Sequence, residues 1–410
     1  MMKVILVIIM VFFWTMLIYY SLLTIAGVIQ RIKHKTILHL NQYPSVAVFV
    51  PAYNEGVVIK NTLDSMVALK YSGELNIYIL DDQSTDDTAE IVKEYSRTFS
   101  QIHYLLVPNS DVKGKSSVLN YGLSVTDSEY FLVFDGDNQP EENAVMELVH
   151  AAETTKKSAG AVGYVKTINA DSNLLTRMIA LEFQVFQLLM QSGRWGLLRT
   201  GSLAGTNMLL RRSVLEDLGG YDPYALAEDA ELTIRVAAKG LLLPVVHHAR
   251  TWEQEPEKLR NLIRQRTRWL TGNLYLLEKS FQEWKFWKGR TIVHSLHHLM
   301  TYFLFVIFLF ISNLWFYLGL FGIAMPNVDT PLLILWFMSY IVYTGQLFSA
   351  MVLEDTLTPK NIVVGIIMYF TYAQLFLILL FKSIFQFVSA RMRKKTIKWD
   401  KTTRHRQGAG

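Results

Sequence analysis

The stretch Phe131-Leu132-Val133-Phe134-Asp135-Gly136-Asp137 carries an apolar run straight into two carboxylates one residue apart. The run is too short to cross a bilayer and reads as a buried parallel strand, with its acids at the end where ligands bind in open α/β sheets. Two carboxylates at that spacing can share a divalent cation, which would neutralise a phosphate-rich donor such as a nucleotide-sugar. Alone, Asp-Gly-Asp is more often a turn after a strand. Three further groups shift that balance. Tyr53-Asn54-Glu55 and Asp81-Asp82 follow two other apolar runs. A ring and an acid suit a nucleobase, the ring by stacking and the carboxylate by accepting from an N–H group. Lys113-Gly114-Lys115 adds mobile positive charge near the phosphates.

The elements that must position these residues alternate. Val46 to Val50 predicts a first strand, Gly56 to Ala68 a helix, Leu75 to Leu80 a second strand, and Asp86 to Arg97 a helix capped by Ser84 or Thr85. Ile102 to Val107, Ser116 to Ser124 and Tyr130 to Phe134 continue the pattern as strand, helix and strand. Strands alternating with helices imply an α/β domain with a mostly parallel sheet, from Ser45 to about His248. In such a sheet Tyr53-Asn54-Glu55, Asp81-Asp82 and Asp135-Gly136-Asp137 lie on one edge and can converge on one ligand. His247 and His248, adjacent on a strand, are expected to face opposite ways and to be structural.

Composition separates the chain from an ordinary soluble domain: 410 residues, 51% hydrophobic, 13% aromatic and only 18% charged. Val4 to Ile29 carries no charged side chain and is long enough for a hydrocarbon core of roughly 30 Å. It reads as a retained transmembrane helix, not a signal peptide. Arg31, Lys33, His34 and Lys35 follow it, which predicts a cytosolic start for the next domain. With no cysteine, disulfides and thiolate chemistry are excluded. The net charge of +5 collects beside the apolar segments, which points to a membrane surface and away from nucleic acid.

Pro51-Ala52-Tyr53-Asn54-Glu55, Leu80-Asp81-Asp82, Asp135-Gly136-Asp137, Ala227-Glu228-Asp229 and Gln265-Arg266-Thr267-Arg268-Trp269, in that order, resemble the signature of the processive family 2 glycosyltransferases. These are the membrane-embedded synthases of cellulose, hyaluronan, chitin and poly-N-acetylglucosamine. The resemblance spans about residues 44 to 275 and implies a GT-A type fold inserted between transmembrane and interfacial helices. It further implies that Tyr53, Glu55 and Asp82 hold a uridine and that Lys115 lies near the diphosphate. Asp135 would contact the nucleotide and Asp137 would bind Mg²⁺ or Mn²⁺, with Asp135 contributing to the metal site. Asp229 would be the general base with Glu228 beside it, Gln265 and Arg268 would reach the pyrophosphate, and Trp269 would stack under the acceptor sugar. Ala227 stands where Thr is often found, and Gly136 where many relatives carry Ala or Ser, a change expected to be harmless.

Inverting sugar transfer needs a base for the acceptor hydroxyl and a cation for the departing diphosphate. Glu228 would raise the Asp229 pKa by like charge, although adjacent acids at the start of a helix, here Ala230 to Lys239, also favour its dipole. Residues 174–198 mix apolar and polar side chains and suit either an interfacial or a core helix. Glu257 to Glu278 would set the Gln-Arg-Thr-Arg-Trp stretch at the membrane surface. Further apolar segments cover about 295–324, 332–353 and 362–390, and a basic tail begins at Arg391.

The expected organisation is a transmembrane helix (1–34), a cytosolic catalytic domain with interfacial helices (35–290), a membrane region (291–390) and a cytosolic tail (391–410). Three full crossings after a cytosolic domain would put that tail outside, so either one segment is interfacial or re-entrant, or the charge rule fails. The function expected is polymerisation of a β-linked polysaccharide from UDP-glucose or UDP-N-acetylglucosamine, with translocation of the chain across the membrane. Transfer of a single sugar to a lipid-linked acceptor is the alternative. The partners are the UDP-sugar, the growing polysaccharide, the lipid bilayer and an accessory membrane subunit, with no nucleic acid.

Overall fold

The computed structural model describes residues 2–33, 40–110, 112–225, 227–289, 291–322 and 329–392. His34, Lys35 and the tail beyond Met392 lie outside the described residues. The strands are β1 (Val46–Ala52), β2 (Leu75–Asp81), β3 (Ile102–Leu106), β4 (Tyr130–Val133), β5 (Gln139–Pro140), β6 (Gly160–Thr167), β7 (Met208–Arg211) and β8 (Val245–Glu253). They form one sheet in the order β3-β2-β1-β4-β7-β6-β8-β5. β1 is central because every residue but Pro51 is buried, as expected for a strand covered on both faces.

The period of two along β1 decides what packs where. Val46, Val48 and Val50 face α2 (Ile59–Val67) and α5 (Ala144–Thr154) through Ile59, Leu63, Met66, Leu148 and Val149. Ala47 and Phe49 face the other way, onto α4 (Lys115–Ser124) and α9 (Glu228–Ala238) through Val118, Leu119, Leu232 and Val236. α3 (Thr88–Thr98) completes the first layer and α8 (Arg212–Asp217) follows β7. The start of α3 differs from expectation. Neither Ser84 nor Thr85 caps it, because both are engaged by Asn54; Asp86 instead accepts from the Thr88 N–H (3.1 Å).

β1 pairs in parallel with β2 and β4, and β2 with β3, so the carboxyl ends of all four strands share one edge. Beyond β4 the sheet is mixed: β7 is antiparallel to β4 and β6, while β6 and β8 are parallel. The reversal at β7 matters because it delivers the loop 199–207 to the same edge. β8 is irregular, its register to β6 jumping between Val245 and Arg250. That irregularity brings the His247 and His248 rings together, centroids 4.0 Å apart, where a regular strand would have opposed them.

Residues 174–198 form α6 (Leu174–Gln184), a π-helical segment (Val185–Gln191) and α7 (Ser192–Leu198). This helix packs on α1 (Met2–Ile32), backbone to backbone. A Cβ on Gly193 would lie 2.1 Å from the Leu23 carbonyl oxygen, and one on Gly27 would lie 2.5 Å from that of Leu189. Much of it is therefore interior, with Leu174, Phe186 and Leu197 left exposed.

After β8 come α10 (Leu259–Gln282), a 3₁₀ turn (Trp284–Trp287), α11 (Thr291–Leu299), a π segment (Met300–Leu304), α12 (Phe305–Leu320), α13 (Asp329–Leu353), α14 (Pro359–Met368) and α15 (Tyr372–Met392). By length and composition, among the described residues four stretches can cross a membrane: Val4–Ile32, Thr291–Ser312, Ile334–Leu353 and Tyr372–Ser389. The apolar segment expected over 362–390 is in fact broken after Met368 into the short α14 and the longer α15. α10 is tied to the α/β domain at both ends. Asn173 donates to the Glu257 carbonyl at its start (3.2 Å), and Lys279 pairs with Glu231 (2.7 Å) and Asp222 (3.2 Å) near its end.

Candidate active site

The loop after β1 is held in an uncommon conformation. Asn54 (φ 54°) and Gln83 (φ 63°) both adopt left-handed backbone, a cost that surrounding contacts must offset. Those contacts are present: the Asn54 side-chain oxygen accepts from the Thr85 N–H (2.7 Å), and the Gln83 amide donates to the Val107 carbonyl (2.6 Å). Between the two loops, Tyr53 is exposed at the rim, while Glu55 and Asp82 line the same cavity. Burial raises the Asp82 pKa, with Lys113 opposing and Asp81 adding to the rise. Asp81 faces inward and accepts from the Tyr104 hydroxyl (2.7 Å) and the Ser84 N–H (2.9 Å).

Asp135 and Asp137 stand at the next strand end, in the crevice between β1 and β4 where the strand order reverses. Asp137 is buried and accepts from the Gln254 N–H (3.2 Å). Lys115 is not the mobile charge expected from its Lys-Gly-Lys setting. Its ammonium is partly buried, bonded to Asp135 and the Gly205 carbonyl (2.6 Å), and lies 3.8 Å from Glu228. Burial alone would lower its pKa, but the charges of Asp135 and Glu228 outweigh burial and raise it. Gly136 has a structural reason: a Cβ there would lie 2.9 Å from Cγ of Glu55, so Ala or Ser would displace that side chain.

The donor set fits a divalent cation of the Mg²⁺ or Mn²⁺ kind. Asp135 and Asp137 offer hard carboxylate oxygens on one cavity wall. Among the described residues no group of three or more His, Cys, Asp or Glu is gathered to hold a metal. One or two carboxylates, completed by substrate phosphates and water, is how such ions are usually held.

Asp229 opens α9 on the other side of the cavity. Its carboxylate accepts from the Ala230 N–H (2.8 Å), and a Cβ on Gly205 would lie 3.6 Å from its second oxygen. Burial, then the neighbouring charge of Glu228, raise its pKa to about 7, against the lowering effect of the Ala230 N–H and of Lys115. A carboxyl poised there can take a proton at neutral pH. The loop 199–207 closes the gap between the two groups of acids. The Asp135 N–H donates to the Thr206 hydroxyl (3.1 Å), and Asn207, at φ 50°, is pinned by its amide to the Ala249 carbonyl (2.8 Å). This loop was not singled out in the sequence, although Gly205-Thr206-Asn207 before a short apolar strand is a turn signal.

α10 places Gln265, Arg268 and Trp269 on the cavity wall. Gln265 is buried, and its side-chain oxygen has no hydrogen-bond partner. Trp269 packs with Leu262 and Phe183, and Arg266 stacks on it 4.3 Å from the ring centroid. Arg266 is itself fixed by Glu182 (2.7 Å), which also accepts from the Tyr372 hydroxyl (2.7 Å). Burial tends to lower the Arg266 pKa, and the Glu182 charge more than reverses this. Arg266, Glu182 and Tyr372 were missed because their partners are separated by scores of residues in sequence. Arg194 was missed as well. It is buried in the cavity wall, bonded to Gln191 (2.7 Å), with its Nε unpartnered and burial lowering its pKa.

The site residues expected from the sequence share one cavity of about 2100 Å³. It runs from Tyr53 and Asp82, past Asp137, Asp229 and Trp269, to Phe13 and Tyr20 of α1, Phe305 of α12, Trp336 and Tyr343 of α13 and Phe376 of α15.

Comparison with known proteins gives the family and the fold. The family described as Glycosyltransferase like family 2 matches residues 44–272. A Bacillus subtilis protein called probable glycosyltransferase YdaM is 38% identical over 403 residues, covering 96% of each chain. A beta-monoglucosyldiacylglycerol synthase of Nostoc is 29% identical over 56% of this chain and 49% of its own length. A poly-beta-1,6-N-acetyl-D-glucosamine synthase of Staphylococcus aureus is 24% identical over 61% of this chain and 60% of its own. Among solved structures, the mannosyltransferase PcManGT of Pyrobaculum calidifontis, in complex with GDP-Man and Mn²⁺, superposes with a TM-score of 0.55 at 15% identity. It covers 94% of this chain and 99% of that one, which makes the fold GT-A-like. From the matched span and the full-length relative, the chain belongs to the family 2 glycosyltransferases.

Proposed function

We propose that the chain is a membrane-embedded, processive, inverting glycosyltransferase that builds a β-linked polysaccharide from a UDP-sugar and passes it across the membrane. The observation that carries this reading is the continuity of the cavity from the acids at the sheet edge to the aromatic residues of α1, α12, α13 and α15. A single-turnover site needs only a donor pocket and an acceptor mouth, whereas a polymer needs a path that leaves the base without turning back. Tyr53 stacks on the uracil, and Glu55 and Asp82 accept from its N–H and the ribose hydroxyls. Lys115 moves from Asp135 toward the diphosphate when donor arrives. Asp137, with Asp135, holds Mg²⁺ or Mn²⁺, whose charge stabilises the departing diphosphate. Asp229 takes the proton of the acceptor hydroxyl, Glu228 keeps its pKa near neutrality, and Gln265 and Arg268 reach the diphosphate. Trp269, backed by Arg266, supports the acceptor sugar.

In this reading the α/β domain lies on the cytosolic face, following the basic residues after α1. The test is to supply purified protein in lipid with radiolabelled UDP-glucose, UDP-N-acetylglucosamine and GDP-mannose separately. Product size and glycosidase sensitivity are then measured. A high-molecular-weight product from one UDP-sugar is expected. A product of one sugar that extracts into organic solvent overturns polymerisation in favour of a lipid acceptor, and a product from GDP-mannose alone overturns the donor assignment.

A further inference from the structure

Among the described residues four stretches have the length and composition to cross a bilayer, yet both ends of one of them are tied to the same face of the molecule. At the start of α15, the Tyr372 hydroxyl donates to Glu182 of α6 (2.7 Å). At its end, Arg391 pairs with Glu278 of α10, next to the Lys279 that is bonded to Glu231 of α9. Between these points Ser383 donates to the Thr267 carbonyl of α10 (3.4 Å), and the two helices pack along much of their length. α10 is itself held flat against the α/β domain, by Asn173 at one end and Glu231 at the other. A helix of 21 residues is about 30 Å long, so a crossing would separate Tyr372 from Arg391 by the whole hydrocarbon core.

The outer surface of α15 agrees with this. Ile378, Phe381, Phe385, Val388 and Met392 are exposed, at helical spacings of three and four, and make one apolar stripe. Lys382 and Gln386, also exposed, lie beside the stripe near the middle of the helix. A spanning helix would hold that lysine at the depth where a charge costs most. A helix lying in the interface lets it reach the headgroups while the stripe enters the acyl region. Arg391, Arg393, Lys394 and Lys395 follow at one end, the charge that favours anionic lipid.

We infer that α15 does not cross the membrane but lies in the plane of the leaflet on the catalytic face, with its apolar stripe in the lipid, so that the chain crosses three times. This removes the conflict between an even number of crossings and a basic tail. The tail returns to the side of the catalytic domain, whichever compartment that is.

The chain has no cysteine, so single-cysteine labelling reads out the arrangement directly. Glu90→Cys, exposed on α3, marks the catalytic face, and Phe321→Cys, in the turn after α12, marks the opposite one. Thr402→Cys marks the tail. Each variant is treated with a membrane-impermeant maleimide in intact cells and in inverted vesicles, with labelling in detergent as the total. Thr402→Cys is expected to label with Glu90→Cys and against Phe321→Cys. Labelling together with Phe321→Cys, or from both sides, overturns the inference. Sugar transfer plays no part in the readout, so failure here leaves the glycosyltransferase reading untouched.

Discussion

At the scale of single residues the catalytic proposal rests on Asp229, whose carboxyl is pushed up to about 7 by burial and by Glu228. A base must be ionised to act, so the sign is fixed: kcat/KM of the free enzyme should fall as pH drops through about 7 and be flat above it. Glu228→Gln removes a like charge and should move that acid limb to lower pH, measured as a pH profile at saturating metal. Asp229→Asn should lower kcat by about 10²–10⁴-fold while donor-nucleotide affinity, read by calorimetry, stays within a few-fold. Near-normal turnover would remove Asp229 from the role. Asp137→Ala should suppress turnover and abolish its response to added Mg²⁺ or Mn²⁺; full activity of the unaltered protein after exhaustive chelation would sink the metal assignment.

At the scale of elements, the question is whether Trp269 anchors α10 in the interface or presents a surface to the acceptor. An anchor requires bulk and an amphipathic ring, and its loss should show first as lower stability. Trp269 instead lines the cavity, and one of its faces is covered by Arg266, which Glu182 and Tyr372 hold. Trp269→Ala should therefore leave a folded protein that binds donor nucleotide but yields no elongated product, while Trp269→Phe retains a measurable fraction. Arg266→Met should shorten the product without loss of donor affinity, because it loosens the support without touching the donor site. Full-length product from a well-folded Trp269→Ala protein would leave the anchor as the only role.

At the scale of the whole molecule, the membrane part and the catalytic part are joined where α1 meets the helix over 174–198. No side chain fits there: a Cβ on Gly193 would meet the Leu23 carbonyl oxygen at 2.1 Å, and backbone cannot rotate away as a side chain can. Gly193→Val should thus separate the two helices and destabilise the protein by more than the roughly 1–3 kcal/mol usual for overpacking. The measurable consequence is a lower thermal midpoint in detergent. An unchanged midpoint would mean that the helices do not approach as closely as described.

What was legible in the sequence was whatever depends on neighbours in the chain. The apolar runs of β1, β2 and β4 announce themselves because a strand buried on both faces needs continuous hydrophobic residues, and the acids at their ends follow from the same reading. Parallel pairing then brings Tyr53, Asp82 and Asp135 to one edge without further information. Contacts distant in sequence were invisible. Nothing near Lys115 foretells that Asp135 and Glu228 will hold it, and nothing near Trp269 names Arg266, Glu182 and Tyr372 as one support. The apolar composition of α15 likewise allowed a crossing. Only its tethers to α6 and α10 decide the matter, because hydrophobicity measures affinity for lipid and says nothing of direction, whereas two fixed ends do.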